Sequence, residues 1–365
     1  RNPSMTALYI SEQAIRQNVQ TIRTHSDSRI IAVVKENGYG IGLLPFYRIL
    51  KSCGIDFFAV SSPAEALTLR RAGCEENILL LTPEFSVDVC EQLLANNIIL
   101  MLHSREQAFV IREASDAAKV VPRIHLAIDT GLGRYGFLWN DLSDVGLCTE
   151  GMHLEGTYTH FATASRSCIR NIRRQHRRFR YAIRTLENQN LPVGLTHVSA
   201  SRAFLSVGDL GCDAIRIGSL LLGCGAPSDA DYERAVWLES SITQKTARQP
   251  GDFAGYDGTR IRKKNCTLGL ISAGYRDGIF VGRTDTKESL AYQLLRSCFH
   301  LIMKKTTNDS VTFNGLPVPV LGKIGMHHML LDLSGSSMLV GDSVRIRVNP
   351  LFVPDHIPRI FLPSA

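Results

Sequence analysis

Eight short apolar runs recur through the first two thirds of the chain, and this repetition limits the possible folds more than any other feature. Most are separated by segments with helical spacing, such as 63–72 and 87–95. Apolar strands that alternate with helices indicate a parallel sheet covered on both faces. The runs are 30–35, 57–60, 78–81, 98–103, 123–129, 154–161, 196–200 and 214–218. Eight such units within about 220 residues favour a (β/α)8 barrel over an open sheet.

The last third of the chain has a different pattern. Helical periodicity fades, and turn residues separate the strand-like runs 267–273, 317–321, 329–333 and 343–348. We therefore expect an α/β fold with two domains. The first is an N-terminal (β/α)8 TIM-type barrel over 1–232, and the second is a mostly β domain over 233–365, joined near 227–231.

The net charge of +7 is partly concentrated in the segment 170–180, which contains six arginines. Such a segment is compatible with a nucleic-acid patch or with a solvated or subunit-facing helix surface. Ile172, Phe179 and Ile183 mark an apolar side at helical spacing. Because no recognised nucleic-acid module surrounds the run, we favour the second interpretation and expect no nucleic-acid partner.

The nine cysteines are scattered and form no CxxC pair. The pattern therefore predicts neither a disulfide framework nor a zinc site, and it favours a reducing cytoplasm. We expect no bound metal. The chain also contains no apolar run of the roughly 18 residues that a membrane helix needs, so we expect no membrane span.

Lys35 lies at the end of the first apolar run, a position that is unusual for a charged side chain. Burying an ammonium group costs several kcal/mol unless the group is paired or neutralised. One solution is a structural lysine whose amine reaches solvent. The other is a Schiff base with an aldehyde cofactor, which neutralises the amine at the barrel face where active sites are built.

The segment Lys35-Glu36-Asn37-Gly38-Tyr39-Gly40 closely resembles the lysine motif of the alanine racemase family. Further segments resemble motifs of that family and occur in the family's order over nearly the whole chain. They are Asp129-Thr130-Gly131-Leu132-Gly133-Arg134-Tyr135-Gly136, Thr159-His160-Phe161-Ala162-Thr163-Ala164, 197–201, Asp213-Ala214-Ile215-Arg216-Ile217-Gly218, Gly274-Tyr275-Arg276-Asp277-Gly278 and Gly322-Lys323-Ile324-Gly325-Met326. Each motif is weak alone, and their recurrence in order is a strong signal.

The resemblance implies a racemase that depends on pyridoxal 5'-phosphate and interconverts L- and D-alanine, an isomerase activity that serves cell-wall biosynthesis. It makes Lys35 and Tyr275 the two catalytic bases, on opposite faces of a planar carbanion. The implied cofactor-binding residues are Lys35, Tyr39, His160, Ser201, Arg216, Gly218 and Ser219. The implied substrate-binding residues are Arg134 and Met326.

Arg216 is the most diagnostic of these residues, because the resemblance places it against the pyridine nitrogen of the cofactor. A guanidinium donates a hydrogen bond but does not transfer its proton, so the ring stays a weak electron sink. Without the neighbouring motifs, Arg216 is also compatible with a salt bridge at the barrel mouth. Likewise, Ser201 and Gly218 are compatible with a helix cap and a turn, and Tyr275 with a core position.

The resemblance further implies a head-to-tail homodimer in which Tyr275 reaches the site of the partner subunit. A tyrosine titrates at about 10, so it needs a cationic environment to act as a base. His160, hydrogen-bonded towards Arg216, could provide that environment. As a strand-end residue, His160 is also compatible with a purely structural role.

Four positions depart from the family pattern: Ala127, Ala200, His327 and Asp355. Ala127 replaces a lysine that supports the arginine, so Arg134 needs another anchor, such as a bound anion or Asp129. These departures keep a second substrate open, either serine or a larger or basic amino acid. The sequence is also compatible with two further functions, a fold-related decarboxylase and a cofactor-binding protein without turnover.

Overall fold

The computed structural model describes residues 6–162, 168–227, 230–256, 258–281 and 310–364. These residues form two compact units. One unit is Gln13–Arg234, and the other combines residues 6–12 with the described residues after 234. Thr163, Ala164 and Cys298 lie outside the described residues.

In the described part of the first unit, eight parallel strands close into a barrel. The barrel strands are β2 (Arg29–Val33), β3 (Phe57–Val60), β4 (Asn77–Leu80), β5 (Ile99–Leu102), β6 (Arg123–Asp129), β8 (His153–Tyr158), β9 (Leu195–Ala200) and β10 (Ala214–Ile217). Their order in the sheet is β5-β4-β3-β2-β10-β9-β8-β6, and pairing of β5 with β6 completes the ring. A short strand β7 (Phe137–Leu138) pairs with the end of β6.

Helices cover the outside of the barrel, and local sequence signals set their ends. The start of α4 has a complete capping box, because the Ser62 hydroxyl accepts the Glu65 N–H and the Glu65 carboxylate accepts the Ser62 N–H. The helices are α1 (Glu12–His25), α3 (Leu43–Ser52), α4 (Pro63–Arg71), α5 (Val87–Ala95), α6 (Arg105–Ala118), α7 (Val145–Thr149), α8 (Ile169–Asn188) and α9 (Ser201–Val207). The short turn α2 (Lys35–Tyr39) follows β2 directly.

Both faces of the barrel sheet are buried, which explains why its strands are continuously apolar. Every residue of β3, β5 and β10 is buried. One core cluster is made of alternate residues from neighbouring strands: Ile31, Val33, Phe57, Ala59, Leu79, Ile99 and Ala214. This packing leaves the carboxyl ends of the strands to carry polar side chains.

The second unit is built from mostly antiparallel strands around the long strand β11 (Val236–Arg248). The first half of β11 pairs with β1 and β17, and its second half pairs with β12. The burial along β11 alternates, as expected for a strand with one covered face. The other strands are β1 (Ala7–Ser11), β12 (Cys266–Ile271), β13 (Val311–Phe313), β14 (Leu316–Pro317), β15 (Val320–Leu321), β16 (Met329–Asp332), β17 (Ser343–Ile346) and β18 (Arg359–Leu362).

The structure confirms the predicted fold class, and each predicted barrel strand is present within three residues of its predicted ends. One detail was wrong: β2 ends at Val33, so Lys35 opens the following turn and is not a strand residue. Strands β1, β7, β11, β13 and β18 were not predicted. The domain assignment of 1–232 and 233–365 stays a prediction.

Candidate active site

A cavity of about 270 Å³ opens at the carboxyl ends of the barrel strands. Residues at or just beyond the ends of the barrel strands contribute to its wall, as expected for a barrel of this kind. Seven predicted site residues line it: Lys35, Tyr39, Arg134, His160, Ser201, Arg216 and Gly218. The barrel therefore gathers residues that are separated by up to 183 positions in the sequence.

Lys35 is followed by a left-handed turn. Glu36, Asn37, Gly38 and Tyr39 all have φ between 52° and 64°. Non-glycine residues rarely adopt this conformation, so the surrounding contacts must hold it in place. The Glu65 carboxylate accepts the Asn37 N–H at 3.0 Å. A capping group of α4 thereby also fixes the turn that presents Lys35 and Tyr39 to the cavity.

Hydrogen-bond donors cluster at one side of the cavity, where β9 and β10 end. The Ser201 hydroxyl accepts the N–H of Gly218 at 3.1 Å and that of Leu220 at 3.4 Å. Desolvation, the largest effect, raises the pKa of Tyr39 to about 12. The hydroxyl also accepts the Ser219 N–H, which lowers the pKa by less. A Cβ on Gly218 would lie 2.1 Å from the Tyr39 hydroxyl. Only glycine permits this approach, so Gly218 is more than a turn residue.

Arg216 is buried on β10, and its guanidinium is held by neutral groups. Nη1 lies 2.6 Å from Nδ1 of His197 and donates to the His197 carbonyl at 3.0 Å. Nη2 donates to the Thr159 carbonyl at 2.8 Å, and Cζ lies 5.0 Å from the centre of the Tyr158 ring. Among the described residues no carboxylate pairs with it, so a salt bridge does not explain this arginine. Desolvation lowers its pKa to about 10, which leaves it charged at neutral pH.

Two histidines continue the contact of Arg216 into the barrel. Because a guanidinium only donates, His197 accepts at Nδ1 and carries its proton on Nε2. That proton is donated to Nδ1 of His125 at 2.8 Å. Desolvation lowers the pKa of His125 to about 3 and that of His197 well below its ordinary value, so both rings are neutral. A Cβ on Gly156 would lie 2.6 Å from the His125 ring, so glycine makes room for it.

The histidine pair was not predicted as part of the site. Its signal in the sequence is a polar residue in the middle of an otherwise apolar run, which occurs at His125 in β6 and at His197 in β9. An inward-facing polar residue in a barrel strand needs a buried partner. The sequence does not reveal that the two histidines are partners, because 72 positions separate them.

His160 lies just after β8, with Nδ1 3.4 Å from Nη2 of Arg216. The predicted orientation towards Arg216 is therefore present, although the contact is long. Desolvation, followed by the positive charges of Arg216, Arg134 and Lys35, lowers the pKa of His160 to about 3. The expectation of a cationic His160 was wrong. Arg216 donates to Nδ1, so the proton lies on Nε2 and His160 offers a neutral N–H donor.

Arg134 belongs to an exposed loop after β6, and Asp129 organises that loop. The Asp129 carboxylate accepts the backbone N–H groups of Gly131, Leu132 and Gly133 at 2.8 to 3.2 Å. No ion pair joins it to Arg134 within the described ranges, so Asp129 does not replace the missing lysine as an anchor. Instead, Arg134 Cζ lies 5.6 Å from the centre of the Tyr135 ring.

The position of the missing lysine is filled by apolar packing. Ala127 is buried in a cluster with Met101 and Tyr158. Desolvation raises the pKa of the Tyr158 hydroxyl to about 12, so this wall carries no charge. Ala200, the second departure, directly precedes α9 and lines the cavity.

Tyr275 and Met326 belong to the second unit, where their segments are hydrogen-bonded to each other. The Tyr275 N–H donates to the Gly325 carbonyl at 3.0 Å, and the next residue donates to the Met326 carbonyl at 3.1 Å. The side chains of Tyr275 and Met326 are 49% and 48% exposed, so both remain available for contacts. His327 is exposed, and the Asp355 carboxylate is almost fully exposed.

Other kinds of site find little support in the described ranges. These residues include no cluster of metal-binding side chains and no helix that is long and apolar enough to cross a membrane. The eight described cysteines form no disulfide.

The described part of the first unit is a closed parallel barrel, and its strand ends bring Lys35 and Arg216 to one cavity. This architecture defines the class of (β/α)8-barrel proteins with a cavity at the carboxyl ends of the strands. The chain belongs to the alanine racemase family, whose members are isomerases. The model of the alanine racemase N-terminal domain matches residues 10–226, and that of the alanine racemase C-terminal domain matches residues 235–350.

Individual relatives agree with this assignment. The chain is 30% identical over 335 residues to an alanine racemase from Desulforamulus reducens, which covers 85% of the chain and 90% of the relative. It is 27% identical over 359 residues to alanine racemase 1 from Caldanaerobacter subterraneus subsp. tengcongensis, which covers 94% and 85%. The solved alanine racemase from D-cycloserine-producing Streptomyces lavendulae has the same fold, with a TM-score of 0.82, 24% identity and coverage of 100% and 99%.

Proposed function

We propose that this chain is a pyridoxal-phosphate-dependent alanine racemase in which Lys35 holds the cofactor. The observation that carries the proposal is the shared cavity. Lys35 and Arg216 line the same space, and Tyr39, Ser201 and Gly218 line it with hydrogen-bonding groups. The family assignment supports this combination independently.

The donor set suits each part of pyridoxal phosphate. The hydroxyls of Ser201 and Tyr39 accept backbone N–H groups and keep their own protons to donate to a phosphate. The backbone N–H groups of Gly218, Ser219 and Leu220, which now donate to these hydroxyls, would turn to the phosphate when it binds. The absence of a Cβ at Gly218 keeps this cradle open. Lys35 supplies the amine that an aldehyde requires.

Arg216 would face the ring nitrogen of the cofactor. When bound, pyridoxal phosphate withdraws electrons from the Cα–H bond of an amino acid and so makes its proton acidic. Arg216 would donate a hydrogen bond to the nitrogen and keep its own proton, since its pKa stays near 10. The resulting moderate electron withdrawal favours return of a proton to Cα over other outcomes. The neutral pair His197 and His125 would hold the guanidinium in place.

Racemisation requires that a proton leave one face of Cα and that another arrive on the opposite face. Lys35 Nζ would hold or deliver the proton on one face, and the Tyr275 hydroxyl would do so on the other. We propose that Tyr275 is supplied by the second chain of a homodimer. Its half-exposed side chain is compatible with that role. Because His160 is neutral, the positive charge that would lower the cost of a tyrosinate would have to come from Arg216 or Arg134.

Alanine is the substrate that the family assignment favours, with Arg134 and the Met326 backbone as contacts to its carboxylate side. The cavity departs from the family pattern at Ala127, where packing replaces a polar side chain. Among the described residues one ring contact holds the exposed Arg134, so we expect it to position the substrate loosely. We therefore propose a lower kcat/KM for alanine than is usual in the family, with serine or a basic amino acid as further substrates.

The other two activities are less well supported. A decarboxylase of this fold would need a carboxylate against the ring nitrogen, and among the described residues Arg216 has neutral partners. A cofactor-binding protein without turnover would need no tyrosine in a second unit. We also propose a cytoplasmic location, supported by the eight described cysteines, which form no disulfide with one another, and a role in D-amino-acid supply for cell walls.

A chiral assay tests the proposed function. Purified protein loaded with pyridoxal phosphate is incubated separately with L-alanine, L-serine, L-lysine and L-arginine, and both enantiomers are measured over time. We expect D-alanine to form and to reach equal amounts with L-alanine. Carbon dioxide release with loss of the amino acid would indicate the decarboxylase, and unchanged L-amino acids would contradict turnover.

A further inference from the structure

Helix α8 (Ile169–Asn188) carries the strongest concentration of positive charge in the described structure. Its exposed arginines form a stripe along one side, with side chains three or four positions apart that neighbour one another on a helix. They are Arg170, Arg173, Arg174, Arg177, Arg180 and Arg184. From the first to the last, the stripe extends about 21 Å at the rise of an α-helix.

Within the described part of the chain, no acidic side chain pairs with these arginines. None of the six forms an ion pair or a side-chain hydrogen bond within the described ranges, whereas Arg178 on the same helix donates to the Thr130 carbonyl. Adjacent like charges on a helix destabilise it slightly. Among the described residues the stripe therefore gains no stability from pairing, and an anionic partner would supply the counter-charge.

An aromatic side chain lies within the stripe. Tyr181 is 54% exposed and lies one turn from both Arg177 and Arg184. The Tyr181 ring meets the Trp139 ring edge-on, with centres 5.5 Å apart. Arg178 Cζ lies over the Trp139 ring, 5.1 Å from its centre. Tyr181 is therefore packed against Trp139 on one side, while more than half of its side chain stays open to stack on a base.

We propose that this face of α8 binds a single-stranded nucleic acid, with the arginines on its phosphates and Tyr181 on a base. Arginine suits phosphate because its planar donors bind two oxygens at once, and α8 contains no lysine. Proteins that bind single-stranded nucleic acids combine positive side chains, which contact the phosphates, with aromatic rings, on which the bases stack. The sequence alone favoured a solvated or subunit-facing surface, because it revealed neither the absence of pairing nor the placement of Tyr181.

An anionic membrane fits this helix less well. Membrane-surface helices insert an apolar face into the lipid. The apolar face of α8 is occupied, because Ile172, Phe179, Ala182, Ile183 and Leu186 are all buried. The face that remains outside offers charge and one aromatic ring.

Binding of a labelled 12-nucleotide uridine RNA to the holoenzyme tests the proposal, with a thymidine DNA oligomer as a second probe. At a rise near 3.4 Å per nucleotide, the stripe can contact about five or six phosphates. Contact with five phosphates predicts a slope near −3.5 in log affinity against log salt concentration, or roughly a 100-fold loss of affinity between 50 and 200 mM salt.

The triple variant Arg174→Gln, Arg177→Gln and Arg184→Gln should reduce this slope by about 2 and weaken binding at least tenfold. Glutamine is a good helix former, so α8 should stay folded.

Three comparisons separate a specific site from general attraction by charge. The control triple Arg48→Gln, Arg71→Gln and Arg248→Gln makes the same change in net charge and should alter affinity less than twofold. Tyr181→Ala should weaken RNA binding about fivefold or more while leaving heparin binding unchanged, and Tyr181→Phe should restore RNA binding. An equal loss in the control triple, no effect of Tyr181→Ala, or stronger competition by anionic vesicles than by RNA would overturn the proposal.

Discussion

Nη1 of Arg216 lies 2.6 Å from Nδ1 of His197, so a buried cation in the barrel is held by a neutral ring and not by a carboxylate. This contact fixes the proton of His197 on Nε2 and passes a hydrogen bond on to His125. The arrangement lets Arg216 stay charged without an acid beside it. Arg216 keeps its proton and has no acid beside it among the described residues. It can therefore hold a bound ring through a hydrogen bond without protonating that ring.

The first prediction follows from this role. Arg216→Glu places an acid where the guanidinium lies, which should protonate the ring nitrogen and strengthen electron withdrawal. We expect racemisation to fall at least about tenfold, a change of roughly 1.4 kcal/mol in the barrier, and the share of transamination to rise. The measurement is the ratio of D-alanine to pyruvate formed from L-alanine. Arg216→Lys is the control, because it keeps the charge while removing the planar fork. An unchanged ratio in the Glu variant would refute this account of Arg216.

The second prediction concerns stability and pH. His197→Phe removes the acceptor of Nη1 and the donor to His125, so buried polar groups lose partners at a cost of about 1–3 kcal/mol in the free energy of unfolding. Urea denaturation at pH 7 measures this loss. The exposed His153, replaced by Gln, should change stability by less than about 0.5 kcal/mol.

The same variant should be less sensitive to acid. The pKa of His125 is about 3 and that of His197 is also lowered, against about 6.5 in an unfolded chain. Below pH 6.5 the unfolded chain gains protons that the folded barrel does not, so stability falls as the pH drops towards 3. Each buried histidine contributes at most about 1.4 kcal/mol per pH unit to this slope. A slope that is equal in wild type and His197→Phe between pH 6.5 and 4.5 would be inconsistent with a neutral His197.

A third prediction concerns the cradle beside Tyr39. Gly218→Ala introduces a Cβ only 2.1 Å from the Tyr39 hydroxyl, so the ring must move and the donor cluster must open. We expect the affinity for pyridoxal phosphate to fall at least about tenfold, or roughly 1.4 kcal/mol, by fluorescence titration. Gly146→Ala is the matched control, since its added Cβ meets only ordinary contacts at 3.8 Å.

A double-mutant cycle with Tyr39→Ala identifies the cause. If the clash with the ring is responsible, adding Gly218→Ala to Tyr39→Ala should cost much less than adding it to the wild type. Fully additive losses would show that Gly218 acts through something other than Tyr39.

The fourth prediction tests the shared site. Lys35→Ala and Tyr275→Phe should each be inactive alone. After mixing and subunit exchange, one site of each mixed dimer would contain both native side chains, so about a quarter of wild-type activity is the most that random exchange can restore. The control mixes either variant with itself. Absence of recovery, although native mass spectrometry shows mixed dimers, would place both side chains in one chain's site.

Local patterns in the sequence were enough to predict the barrel. Strand β3 was predicted at its observed ends, because Phe57–Val60 is a continuous apolar run bounded by polar residues. Strand β1 was missed, since Ala7–Ser11 pairs with β11 over more than 220 positions and nothing local marks that pairing. Its partner β11 was missed because all its residues from Glu239 onward except Ile242 and Ala247 are polar and resemble a surface segment.

Part of the candidate site could also be predicted from local sequence motifs, and the rest depends on tertiary contacts. Residues that sit in motifs, such as Lys35 and Arg216, were predicted and line one cavity. The neutral state of His160 was not predictable, because it depends on burial and on three nearby cations. The left-handed turn after Lys35 also escaped prediction, since only its glycines signal positive φ, whereas Glu36 and Asn37 adopt it through tertiary contacts.

The attachment of the cofactor at Lys35 is the central claim, and reductive labelling tests it most directly. Protein loaded with pyridoxal phosphate is reduced with borohydride, digested and mapped by mass spectrometry. We expect one predominant labelled peptide, with the cofactor fixed on Lys35, and no labelling of that peptide in Lys35→Ala. Recovery of unmodified Lys35 from the reduced protein, or equal labelling spread over surface lysines such as Lys119 and Lys264, would contradict the account.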